Sequence, residues 1–266
     1  DENASLVDIT AIDITPGAEV TILHSGLQNG NQYYYAAFAY DTNGNYSEPA
    51  YDMATPSHFE SFTVTLRDEI SDTTIGGTSE KQKKMNFGGE NYIRIWSNGV
   101  RRILLKADLF QIPEGAVITK AELKLYCYQL SWPYDPRLQV YRVTHPWEEG
   151  SSRWGYSPDG ATWYEYDYYD HDITETNNWS IAGGDIDKST DFGHGPNGLV
   201  AEAVMQEGSW IIFDITNLVQ KWVSGEMEND GLLLQAVKRG YNAARFYSSE
   251  YSDENMRPEL VIEYSY

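Results

Sequence analysis

Tyr92-Ile93-Arg94-Ile95-Trp96-Ser97-Asn98-Gly99-Val100-Arg101-Arg102-Ile103-Leu104-Leu105-Lys106-Ala107-Asp108-Leu109 reads as two strands joined by a tight turn. Asn98-Gly99 supplies the positive φ angles that a short hairpin needs. Side chains alternate between the faces of a strand. Ile93, Ile95, Ile103, Leu105, Ala107 and Leu109 are therefore expected to share one core face. The other face is expected to carry Tyr92, Arg94, Trp96, Arg102, Leu104 and Lys106. Three cations beside two aromatics, in a chain of formal net charge −21, suit a flat, hydroxyl-rich or anionic ligand. The plainer reading is a solvated sheet face on which Arg94 stacks over Trp96.

Outward from this hairpin, strand-like runs recur at 61–66, 121–129, 138–144, 210–215, 231–237, 244–248 and 260–264, punctuated by Gly, Pro and Asn. Many short strands with almost no helices predict an all-β fold, a jelly-roll-type β-sandwich. One short helix stands out, because Ile215, Leu218, Val219 and Trp222 form an apolar stripe. Asp214 and Thr216 can cap its start and Gly225 can end it. The helix is expected to plug the open end of the sandwich. The segment from about 147 to 208 is aperiodic and rich in Trp, Tyr and Asp. A structureless loop of that length is unusual, so its aromatics are expected to pack over the sandwich.

The 266 residues suffice for one large β domain and a smaller module. An excess of 40 acids over 19 Lys and Arg excludes the usual charge balance of nucleic-acid binders and of proteins drawn to anionic membranes. No membrane span is visible. The lone cysteine, Cys127, rules out an internal disulfide and reads as a buried small hydrophobe.

The first Lys or Arg is Arg67, which marks a compositional boundary. Residues 1–56 read as a separate small module, with 57–61 as linker around Thr55-Pro56-Ser57 and 62–266 as the large domain. Leu27, Gly30 and Tyr33, followed by Asp41 to Pro49 in the pattern D-x-x-G-N-x-S-x-P, resemble the second half of a fibronectin type III domain. Tyr33 would then be the corner tyrosine that bonds back to the preceding loop. The chain opens inside this partial module, so it is expected to be part of a longer multidomain protein.

The large domain carries a series of short motifs in a fixed order. Asp72-Thr73-Thr74-Ile75 fits D-T-x-I, and Asn86-Phe87-Gly88-Gly89 fits the N-(Y/F)-G turn. Residues 102–109 with 112–116 fit R-x-L-L-(R/K)-F-D-L-x-x-I-P-x-G-A, with Ala107 in place of Phe. Residues 121–126 fit A-x-L-x-L-Y. Tyr141-Arg142-Val143-Thr144 and Trp147-Glu148-Glu149-Gly150 fit V-Y-R-V-T-x-x-W-x-E-G. Ala161-Thr162-Trp163, Trp179 and Gly183-Gly184-Asp185 follow. So do Asp214-Ile215-Thr216, Trp222 and Asn229-Asp230-Gly231-Leu232, then Phe246, Ser248, Glu250 and Pro258-Glu259-Leu260. In their order and number they resemble the DNRLRE domain, the disaggregatase-related module also placed in carbohydrate-binding module family 96, and the resemblance spans 62–264. It implies a β-sandwich attached to extracellular or cell-surface, polysaccharide-active proteins, with alginate as an associated ligand.

A polyuronate binder needs cations for carboxylates, Arg above all, and rings for sugar faces. Tyr92, Arg94, Trp96, Arg102 and Lys106 are the first candidates. Lys124, Tyr126 and Tyr128 can join by alternation. Lys81, Lys83 and Lys84 precede the hairpin, and Lys238, Arg239 and Arg245 form a late cationic turn. No cofactor is required. Structural calcium is compatible with the Asp-rich run 164–172 and with Asp185 and Asp187, although a solvated acidic loop explains the same residues. No catalytic motif or poised carboxylate pair is present. The expectation is a monomeric, non-catalytic module binding an acidic polysaccharide. The alternatives are a structural or adhesive cell-surface domain without a defined glycan, and a polysaccharide lyase or glycoside hydrolase domain.

Overall fold

The computed structural model describes residues 27–28, 30–39, 41, 43–56, 60–96, 99–131, 136–154, 159–167, 177–192, 197–237 and 243–266. The chain divides into two units, 1–60 and 61–266. In the first, β1 (Tyr33–Ala37) and β2 (Ala50–Ala54) form an antiparallel pair. The Tyr33 hydroxyl accepts the Gln28 N–H at 2.9 Å, the backward bond expected of a corner tyrosine. Asp41 organises the following turn by accepting the N–H groups of Asn43 and Asn45 at 2.8 and 3.0 Å.

The second unit runs β3 (Ser61–Leu66), β4 (Ile70–Gly76), α1 (Glu80–Lys83), β5 (Tyr92–Trp96), β6 (Arg101–Ala107), β7 (Val117–Ser131) and β8 (Arg137–Arg142). It continues with β9 (Leu199–Val204), β10 (Ser209–Asp214), α2 (Thr216–Val223), β11 (Leu232–Ala236), β12 (Ala243–Tyr247) and β13 (Glu259–Ser265). The strands pair antiparallel. One layer has the order β3–β13–β7–β12–β5, with β10 on the other edge of β7. The other layer contains β4, β6, β11, β8 and β9. The layers meet where Trp96 pairs with Arg101. This is an all-β sandwich.

Alternation explains its interior. On β7, Ala121, Leu123, Leu125 and Cys127 face inward at 0% exposure, while Glu122, Lys124, Tyr126 and Tyr128 lie on the outer face. Ile93, Ile95, Ile103, Leu105, Ala107, Phe213 and Phe246 join the same core, with Leu109 packed at its margin. The Cys127 thiol, pushed up to about 11 by burial, behaves as a small hydrophobe. The predicted helix forms as α2 and buries Leu218, Val219 and Trp222. Asp214 Oδ1 accepts the Thr216 N–H at 3.0 Å, and Gly225 ends the helix at φ 71°.

Two strands escape the sequence reading. β4 is polar, and β9 lies inside the aperiodic segment. That segment covers the second layer. Trp147, Ala161 and Trp179 pack on Ile75, Leu104, Val143 and Leu233, forming a smaller core outside the sandwich. Trp147 and Trp179 donate their indole N–H groups to the carbonyls of Asp230 and Thr162, at 2.9 and 3.0 Å. Burying a ring while satisfying its one polar atom makes the cover part of the folded unit. Among the described residues, no helix is long and apolar enough to cross a membrane. Trp147→Ala is expected to cost about 3–5 kcal/mol, read as a lower denaturant midpoint in a single cooperative transition.

Candidate functional site

The hairpin's outer residues do not share one face. Gly99, at φ 65°, donates its N–H to the Trp96 carbonyl at 3.0 Å and brings Trp96 opposite Arg101. Arg101, not Arg102, therefore continues the face of Tyr92, Arg94 and Trp96. Beyond that pair the strands part. β5 continues along β12, and β6 continues along β4 and β11. Arg102, Leu104 and Lys106 consequently lie beneath the Trp-rich cover. Arg102 Nη1 donates to the Gly183 carbonyl at 2.6 Å, with its guanidinium 5.1 Å from the Trp163 ring. Lys106 Nζ lies 5.6 Å from the Trp147 ring. The expected open trough across Arg94, Arg102 and Lys106 is thus divided between the outer faces of two layers.

The outer face of β10, β7, β12 and β5 gathers a different set. Trp210 meets Tyr126 edge-on at 5.5 Å. Tyr247 stacks with Tyr126, Tyr128 and Tyr251 at 5.9, 4.6 and 3.7 Å. Register places these rings together, because Trp210 pairs with Tyr126 and Tyr247 with Tyr92. Each is only half-buried. The Tyr247 phenol is pushed up to about 12, first by its hydrogen bond with Tyr251 and then by burial, so it remains a neutral hydroxyl.

Three arginines border these rings. Arg245 lies 5.3 Å from the Tyr92 ring. Arg94, only 6% exposed, lies 4.3 Å from the Trp154 ring and 5.3 Å from that of Tyr92. Arg101, also buried, lies 5.4 Å from Trp96 and 5.9 Å from Trp154. Burial pushes the Arg94 and Arg101 guanidiniums down, helped by repulsion from Arg245 at Arg94 and from Arg94 and Arg245 at Arg101, which falls to about 10. Among the described residues, none of the three has a carboxylate within ion-pair distance. Arg94 Nη2 and Arg101 Nε are sealed without a hydrogen-bond partner. In so acidic a chain, the half-buried Arg245 can meet an incoming anion directly, while Arg94 and Arg101, sealed behind it, add positive potential. Trp154 carries a second signal. Its φ of 57° is costly for a bulky residue, yet its ring is 41% exposed over Arg94.

Of the candidates read from sequence, Tyr92, Arg94, Trp96, Tyr126, Tyr128 and Arg245 come together here. Lys124 shares the layer but is paired with Glu259 at 3.3 Å. Lys83 pairs with Glu80 at 2.7 Å in α1, whose Gln82 accepts from Arg101 at 3.3 Å. Lys81 and Lys84 flank it on the surface. Lys238 and Arg239 lie outside the described residues. Arg101, Trp154, Trp210, Tyr247 and Tyr251 complete the face. Alternation with Arg245 points to Tyr247, whereas nothing local in the sequence points to Trp154. A separate shallow depression lined by Glu80, Lys84, Tyr164, Asn178, Trp179 and Ala182 sets one acid against one cation and does not form a polyanion track.

Of the acids first considered for calcium, Asp185 and Asp187 organise loops. Asp185 accepts the N–H groups of Ser180 and Ile181, both at 2.8 Å. Asp187 accepts the N–H and O–H groups of Ser189 and Thr190 and lies 3.5 Å from Arg142 Nε. Residues 168–172 lie outside the described residues. Burial opposes the charged form of Asp187, but the bonds from Thr190 and Ser189 outweigh it and hold the carboxyl well below its ordinary 3.8. A depressed folded-state pKa stabilises fully above the ordinary value and is lost as pH falls toward the folded one. Asp187→Ala is expected to cost about 1–3 kcal/mol at neutral pH. In thermal melts, its deficit relative to wild type should shrink below about pH 4.

Residues 77–262 match the disaggregatase related repeat domain. The match covers most of the second unit, in line with the resemblance carried by 62–264, and does not reach residues 1–60. The fibronectin-type reading of 1–56 gains no support from it. No curated protein matches the chain.

Proposed function

The chain belongs to the disaggregatase-related repeat family, and from that membership and its ring-and-arginine face we propose that it is a non-catalytic carbohydrate-binding module for an acidic polysaccharide such as alginate. The observation that carries this reading is the convergence of Trp210, Tyr126, Tyr247 and Tyr128 with Arg245, Arg94 and Arg101, cations that lack acidic partners among the described residues. Ring faces suit the apolar faces of pyranoses. The guanidinium fork of half-buried Arg245 suits the carboxylates of uronic acids. A local cationic row on an acidic body confines an anionic chain to that row. As part of a longer extracellular or cell-surface protein, such a module would hold a polysaccharide-active partner domain against its substrate. It would act as a monomer and require no cofactor for the contact itself.

Affinity electrophoresis through alginate, pectin and a neutral glucan tests this. Alginate is expected to retard the wild-type chain, and Arg245→Ala or Tyr247→Ala to weaken retention about tenfold or more. Arg102→Ala, under the cover, should leave retention unchanged while the protein is folded. Retention by alginate that is indifferent to both face variants would remove this face as the site. No retention by any glycan would favour a structural or adhesive domain. Formation of unsaturated uronate, detected by its absorbance, would favour a lyase.

A further inference from the structure

Three acids that belong to neither the sugar-facing row nor the loop turns meet inside the second unit. Asp72 comes from β4, Glu149 from the segment after β8, and Glu250 from the turn after β12. Each brings an oxygen within 4.8 Å of the others'. Two oxygens bound to one calcium ion, each about 2.4 Å from it, lie no more than about 4.8 Å apart. We propose that Asp72, Glu149 and Glu250 form a calcium site that staples β4, the Trp-rich cover and the β12–β13 turn together.

The carboxylates are held from behind. Asp72 Oδ2 accepts the Ser249 N–H at 2.8 Å, Glu149 Oε1 accepts the Asp72 N–H at 2.5 Å, and Glu250 Oε1 accepts the Ser249 hydroxyl at 3.1 Å. Their supports are fixed in turn. Asn86 Nδ2 donates to the Glu149 carbonyl at 2.7 Å, and the Ser248 hydroxyl donates to the Glu90 carbonyl at 2.6 Å. Anchoring one oxygen and leaving its twin available is how outer contacts orient metal ligands.

The remaining oxygens are the decisive ones. Asp72 is 1% exposed, and its Oδ1 is sealed with no hydrogen-bond partner; Glu250 Oε2 is likewise sealed and unpartnered. A buried carboxylate oxygen left so is costly unless a cation meets it. Lys106 and Arg257 favour the charged forms of Glu149 and Glu250 from a distance, but neither makes an ion pair with the cluster. Burial pushes all three carboxyls up, and repulsion from neighbouring carboxylates adds to it at Asp72 and at Glu149, which reaches about 7. The donor set is all oxygen, which suits a hard cation rather than zinc. Three carboxylates offer three to six oxygens, leaving the larger and more flexible coordination of calcium to be completed by carbonyls or water.

The test uses the whole chain, stripped with chelator and free of glycan. Isothermal titration with calcium chloride is expected to show binding, with a rise in melting temperature that magnesium at equal concentration does not match. Terbium bound in the same place should emit on indole excitation. Asp72→Asn and Glu250→Gln should each weaken calcium binding by roughly tenfold or more, whereas Asp185→Asn should leave it intact. Should Asp72→Asn fail to fold, Glu250→Gln, on a half-buried turn, carries the same comparison. The proposal is overturned if the stripped wild-type chain takes up no calcium, if magnesium serves equally well, or if the folded acid variants bind as wild type does. Carboxyls that merely share protons would give the first of these results.

Discussion

The pairing of Trp96 with Arg101 is the point on which the second unit turns. On one side of it β5 joins β12 and β7, and on the other β6 joins β4 and β11. Because side chains alternate, this contact decides which outer face each residue of the hairpin joins. It sends Arg94 and Trp96 to the layer that stays open and Arg102 and Lys106 to the layer that is covered. A pairing shifted by one residue would turn Arg101 toward the cover and bring Arg102 into the open row.

The two layers solve the problem of an exposed sheet face differently. The second hides its outer face beneath Trp147, Trp179 and their neighbours, so Leu104 and Leu233 are as sealed as any residue of the central core. The first leaves its outer face half-open and lines it with tyrosines, whose bodies pack on one another while their hydroxyls reach water. Burial of apolar area stabilises the covered layer directly. The open layer gives up some of that stabilisation and keeps a surface on which another molecule can lie.

Much of the architecture could be read from residues in order. The inward set on the hairpin, the inward set 121–127, and the stripe on α2 follow from periods of two and 3.6. The expectation that the aromatic segment packs over the sandwich follows from the cost of leaving its rings in a structureless loop. The site was less legible. The division of the hairpin's outer face depends on where two strands separate, a tertiary fact with no local signature. The burial of Arg102 and Lys106 depends on a segment without periodicity. β4 was missed because Asp72, Thr73 and Thr74 are polar, although all three are buried, and burial of polar residues cannot be inferred from an apolar pattern. Asp72, Glu149 and Glu250 each stand in a recognisable motif, but only the fold brings the motifs together.

The stacked tyrosines and the left-handed Trp154 have a thermodynamic corollary. Rings already wedged against one another, and an indole set edge-on to Phe87 over Arg94, have little rotamer freedom left to surrender when something settles on them. The cost of pre-organisation is met when the domain folds, not when it docks. Even a shallow surface of this kind can then grip an extended chain through a few contacts and let go of it without rearranging.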